Sequence, residues 1–158
     1  MLRFFESENV KGPQSAGTIP VTLDVVGLYT NIPLVEGLDI FRKFLEMRKD
    51  KSVPTGFLIT LLTLVLTCNI LVFDSDFFVQ LIGTSMGTRA APTFACLFMG
   101  AMEFIMLQSW TGLQPKMWKR YIDDIFLLWT GTEKELLDFV THIPYKSSKL
   151  IIIFNQKV

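Results

Sequence analysis

An α+β fold, with antiparallel strands in one layer and helices packed behind it, is the class that this sequence predicts. Three observations lead there. Short β-prone runs are interspersed with longer runs whose apolar residues recur at helical spacing. Two pairs of β-prone runs are joined across brief polar inserts, as hairpins are. No internal repeat or low-complexity tract interrupts the order, which reads strand, helix, helix, hairpin, helix, hairpin, helix, strand.

The elements follow in turn. Residues 1–17 contain Gly12, Pro13, Ser15 and Gly17, which break any period, and are expected to be loosely ordered. "TIPVTLDVVGLY" reads as a buried strand in which Ile19, Val21, Leu23 and Val25 alternate, with Asp24 near its end and "TNIP" as the closing turn. From Val35 to Lys49, Leu38, Phe41 and Leu45 keep helical spacing, while Arg42, Lys43, Glu46 and Arg48 lie off that face. "GFLITLLTLVLTCNILVF", residues 56–73, is uncharged and reaches the length at which a membrane span becomes a candidate. A core helix running into a strand is the preferred reading. Gly56, Thr60, Thr63 and Thr67 mark a weak polar stripe, Asn69 is a stop, and Asp74 and Asp76 follow with no aromatic belt to set an orientation.

Asp74-Ser75-Asp76 separates "ILVF" from "FFVQLI" as the insert of a first hairpin. After the "GTSMG" loop, Pro92 suits the first turn of a helix reaching about Gln108, with Ala95, Phe98, Met99 and Met102 on its apolar face. "MWKRYIDDIFLLW" is a second hairpin with its acids at or beside the tip. Thr132-Glu133-Lys134-Glu135 matches a capping box, so a helix carrying Leu136, Leu137 and Val140 begins there and stops before Pro144. "KLIIIF" supplies a last strand.

The 158 residues suffice for one domain with a hydrophobic core, and their 50% apolar content argues against disorder. Fifteen basic and fifteen acidic side chains cancel, so the chain lacks the positive field of a free-standing nucleic-acid binder. Cys68 and Cys96 sit among apolar neighbours and are expected to be small buried hydrophobes in a reducing compartment. "MLRFFESENVKGPQSAG" has no secretory h-region. His142 is the lone histidine, which leaves little material for a histidine-based triad or zinc site, and it reads as a helix-end residue.

Three pieces carry chemistry, each open to two readings. "YIDD", residues 121–124, is either a polar turn or a pair of carboxylates drawn toward a covered sheet, where a hard divalent cation neutralises their repulsion. Asp24 in "LDVVGLYTNIP" either caps a strand end or supplies a third carboxylate to that pair. "GTSMGTRAAPTFACLFMG" holds Gly83 and Gly87 around a loop, either a plain connection or a place where backbone approaches a base or phosphate beside Arg89.

Taken in order, these pieces resemble the three central motifs of a reverse transcriptase palm. The wording of "DVVGLYTNIP", "GTSMGTRAAPTFACLFMG" and "RYIDDIFLLWTGT" is similar to the polymerases of Penelope-like retroelements, over about residues 18–155. The resemblance implies a palm-like fold and a partial reverse transcriptase domain over residues 18–158. It implies RNA-directed DNA polymerase activity by two-metal nucleotidyl transfer from a dNTP to a primer 3′-hydroxyl. It implies that Asp24 and Asp123 hold two ions, Mg²⁺ or Mn²⁺, with Asp124 beside them. Tyr29 would lie under the sugar, Met86 and Gly87 would meet the nucleotide, and Gly83, Thr84, Arg89 and Tyr121 would contact template or primer. Lys146 and Lys149 correspond loosely to a region near the nucleotide phosphates.

The expected partners are an RNA or DNA template with its primer and a dNTP, with no membrane, and the expected location is intracellular and nuclear. Such a polymerase also has fingers before the first motif and a thumb after the last, which these residues do not supply, so the chain alone is expected to extend primers poorly. The alternative is a catalytically inactive retroelement remnant that binds nucleic acid or protein.

Overall fold

The structure, a computed structural model, describes residues 17–142 and the backbone of residues 152–155. In chain order the elements are β1 (Ile19–Val25), the single turn α1 (Leu28–Asn31), α2 (Leu34–Glu46), α3 (Thr55–Thr67), β2 (Ile70–Phe73), β3 (Asp76–Val79), α4 (Ala91–Ser109), β4 (Met117–Tyr121), β5 (Asp124–Trp129), α5 (Glu133–Thr141) and β6 (Ile152–Asn155). This is the expected α+β order with one element added, α1. The expected loose segment at residues 1–17 lies, Gly17 apart, outside the described residues, as do Pro144, Lys146 and Lys149. Within the described residues there are two compact units: residues 17–26, 103–142 and 152–155 form the first, and residues 27–102 the second.

The first unit is built on a four-stranded antiparallel sheet in the order β4-β5-β1-β6. Period-two alternation decides its faces. Val21, Leu23 and Val25 of β1 are buried, and so are Ile125 and Leu127, which face Leu23 and Val21 across β5, and Trp118, which faces Leu127 from β4. Phe139 of α5 closes this side. Its ring stacks on Trp129 at 5.4 Å and meets Trp110 and Trp118 edge-on at 5.5 and 6.1 Å. Offset and edge-on pairs contribute about 0.5–1.5 kcal/mol each beyond their buried area. The capping box holds α5 at its start: Glu135 N–H donates to the Thr132 hydroxyl, and the Thr132 amide and hydroxyl donate to the Glu135 carboxylate. Those bonds keep the Glu135 carboxyl below its ordinary pKa. His142 is the C-cap of α5, with its ring against Ser109 and Trp110.

The strand expected to reach Tyr29 ends at Val25, within the first unit, and the second unit begins at Gly27. Gly27 adopts left-handed backbone (φ 58, ψ 42), and the Thr30 hydroxyl and Asn31 amide both donate to its carbonyl, at 2.9 and 3.0 Å. Glycine takes that conformation without a Cβ clash, and the local side-chain bonds favour a turn over an extended chain. Helix α2 approaches α4 closely at Gly37, where a Cβ would collide with the Phe94 ring.

The apolar segment forms a helix running into a strand, as expected, but its burial differs from a core helix. Only Thr55, Ile59 and Leu66 of α3 are buried, while Phe57, Leu61, Leu64 and Val65 are exposed. The hydroxyls of Thr60, Thr63 and Thr67 turn back onto the carbonyls four residues earlier, so the expected polar stripe is spent within the helix. At 1.5 Å per residue α3 is only about 20 Å long, against a hydrocarbon core of about 30 Å. Among the described residues α4 is long and apolar enough to cross a membrane by length and composition. Its Glu103, however, pairs with Arg120 of β4.

Strands β2 and β3 form a separate two-stranded sheet whose residues are all exposed. Cys68 departs from the expected burial: it caps the end of α3 in the open, while Cys96 is half-buried, and the two are not joined in a disulfide.

Candidate functional site

The register of the first unit lines up the acidic residues. Asp124 opens β5 and faces Asp24 of β1 on one side and Tyr121 of β4 on the other. Directly opposed residues project to the same face, so Tyr121, Asp124 and Asp24 form a row across three strands. It lies on the face opposite the buried Val21, Leu23, Ile125 and Leu127. Asp24 is half-buried, Asp124 exposed and Tyr121 78% exposed. Lys119, Phe126 and Thr22 make the next row on this face.

Asp123 lies beside this row in the two-residue connection Ile122-Asp123 between β4 and β5. Both connecting carbonyls are held. Val25 N–H donates to the Asp123 carbonyl at 3.3 Å, which carries the β1–β5 ladder past the last paired residues, and Arg120 Nη1 donates to the Ile122 carbonyl at 3.0 Å. Ile122 has φ 57. A β-branched residue in left-handed backbone is a genuine outlier and costs on the order of 1–3 kcal/mol, the kind of strain that gathers at functional sites.

Beneath the row, on the covered side, Glu103 Oε1 accepts from Arg120 Nε and from Trp118 Nε1, each at 2.8 Å. Sequence reasoning missed this cluster. The signal available to it was period two: Arg120 shares the inward phase of Trp118.

Two opposed carboxylates destabilise a sheet unless something neutralises them. None of the described ion pairs involves Asp24, Asp123 or Asp124. Among the described residues no three His, Cys, Asp or Glu side chains are gathered as a metal-binding group, so the acids do not form a closed three-ligand cage. The facing pair fits a hard divalent ion of the Mg²⁺ type, which takes one or two protein carboxylates and fills its shell with water and substrate phosphates.

The remaining candidates belong to the second unit and are described by themselves. Tyr29 is half-buried on α1, and its carbonyl accepts from Thr84 N–H at 2.7 Å. Gly83 has φ 75, and a Cβ there would collide with the backbone of Tyr29 and Thr30, so only glycine fits this approach. Thr84 is 1% exposed, with its hydroxyl unpartnered. Gly83 and Thr84 therefore brace the Tyr29 turn from within. Met86, Gly87 and Arg89 are exposed.

No protein-family model matches the chain, and no curated protein matches it. Solved structures do. The chain is similar to apo telomerase from Candida tropicalis truncated of its C-terminal domain, with a TM-score of 0.63 and 10% identity over 89% of this chain. It is similar as well to telomerase from Candida albicans in complex with a TWJ fragment of telomeric RNA, with a TM-score of 0.70 and 11% identity over 89% of this chain. The fold is thus the palm-like α+β fold seen in those telomerase structures. The chain spans 31% and 27% of the length of those telomerase chains.

Proposed function

We propose that the chain is the palm of an RNA-directed DNA polymerase from a Penelope-like retroelement, transferring nucleotidyl groups from a dNTP to a primer 3′-hydroxyl. The observation that carries this reading is the register that sets Asp24 opposite Asp124, with Asp123 at the adjoining tip, in a fold shared with telomerases. Asp24, Asp123 and Asp124 are the residues to hold Mg²⁺ or Mn²⁺. Two such ions, when bound, supply activation of the attacking hydroxyl and charge stabilisation at the transferring phosphoryl group.

The chain's own contribution is positioning. Opposed strands fix the carboxylates, the exposed Tyr121 offers a ring beside them for the primer terminus, and the turn braced by Gly83 and Thr84 sets Tyr29 for the sugar. Met86, Gly87 and Arg89 are the exposed residues for nucleotide and strand contacts. A nucleic-acid template is the partner and the nucleus the place of action, a reading supported by the RNA-bound telomerase neighbour.

A second reading, a catalytically inactive remnant that binds nucleic acid or protein, is favoured by one observation, the absence of a gathered three-ligand group among the described residues. Single-nucleotide addition to a primer on an RNA template, at high protein concentration with Mg²⁺ or Mn²⁺, separates the two. Incorporation that disappears in Asp123→Asn supports the polymerase; none from the wild type leaves the remnant.

A further inference from the structure

Arg120 lies under the acidic hairpin, its side chain 13% exposed and that of its partner Glu103 12% exposed. Its fork is divided: Nε donates to Glu103 on α4, and Nη1 donates to the carbonyl of Ile122, the residue held at positive φ. Glu103 is fixed in turn by Trp118 Nε1, two positions earlier on the same strand.

An ion pair at this depth is weak evidence for a purely stabilising role, since apolar residues of similar volume often serve packing as well or better. Apolar residues have no donor for the Ile122 carbonyl, and a lysine has no planar fork to bond the two acceptors in fixed directions. We propose that Arg120, anchored by Glu103, is a positioning residue that clamps the strained Ile122 peptide and thereby sets Asp123 and Asp124 relative to Asp24. The inference rests on reading the acidic row as a divalent-ion site. It adds the element that gives the row its geometry from below: α4 reaches the carboxylates through one guanidinium and one peptide.

The test uses the full chain and the variants Arg120→Lys, Arg120→Met and Glu103→Gln, with two readouts. In the first, amide resonances of Ile122 and Asp123 are expected to move in all three variants while those of residues 19–22 at the far end of β1 stay in place; unmoved Ile122 and Asp123 amides overturn the clamp, whether or not metal binds. In the second, Mn²⁺ affinity is followed by electron paramagnetic resonance, and it is expected to fall about tenfold, as for other residues that orient metal ligands. Arg120→Lys retains a pairing charge and serves if Arg120→Met does not fold. Wild-type affinity in folded Arg120→Lys overturns the proposal, because a charge pair alone then suffices. Equal Mn²⁺ binding by the wild type and Asp24→Asn overturns instead the reading of the acidic row, and the amide shifts then decide the clamp by themselves.

Discussion

The two hairpins share a local grammar and differ in nearly everything that grammar leaves open. Each joins antiparallel strands through two residues, and each carries two aspartates at its tip: Asp74 and Asp76 in one, Asp123 and Asp124 in the other. The connection of β2 and β3 is Asp74-Ser75 with φ 49 and 68, two polar residues in left-handed backbone, where Asp is several-fold enriched. The connection of β4 and β5 places Ile122 at φ 57, a residue poorly suited to it. One hairpin is relaxed and exposed on every strand residue. The other is strained, clamped by Arg120 and paired on its outer edge with β1, which brings Asp24 opposite Asp124. Acids at a hairpin tip are thus common to both. The facing carboxylate from a third strand and the strained turn belong to one hairpin alone, and on them the proposed divalent-ion site rests.

The largest contrast is catalytic. Asp123→Asn is expected to lower single-nucleotide incorporation on the order of a hundredfold or more, as loss of a charge-stabilising group does, whereas Asp76→Asn leaves it unchanged. Equal losses would erase the distinction between the hairpins. Stability follows. Leu127→Ala in β5, at a fully buried position, should cost about 2–5 kcal/mol in denaturant unfolding, and Val72→Ala in β2, 62% exposed, less than about 0.5 kcal/mol.

The smallest effects run in the opposite direction. Asp24→Asn should raise metal-free stability by a few tenths to about 1 kcal/mol, because like charges directly opposed across a sheet repel. Ile122→Gly should raise it by up to about 1 kcal/mol by relieving the positive φ, while Ser75→Gly changes little. A loss of stability in both Asp24→Asn and Ile122→Gly would show that neither repulsion nor strain is stored at the acidic hairpin.

Much of this contrast was legible in the sequence, and the unread part has physical causes. Alternation revealed β1, and β-prone runs joined across short polar inserts revealed both hairpins; the Thr132 capping box was equally local. The turn at α1 was missed because Gly27 and two side-chain bonds to its carbonyl, rather than apolar periodicity, decide it. The exposure of α3 was missed because hydropathy reports what a helix offers and not what covers it. At the site, Asp24, Asp123 and Asp124 were legible as unlike their apolar neighbours. The facing of Asp24 with Asp124 required the register, the strain at Ile122 required its φ, and Arg120 required its two partners.

The central claim is that Asp24, Asp123 and Asp124 form a divalent-ion site that the hairpin of Asp74 and Asp76 lacks. Paramagnetic broadening of backbone amide resonances by substoichiometric Mn²⁺ tests it most directly. The account predicts that the amides of Asp24, Asp123 and Asp124 broaden first, while those of Asp74, Ser75 and Asp76 stay sharp until Mn²⁺ is in excess. Broadening of both tips together, or of the Asp74–Asp76 tip first, would contradict it.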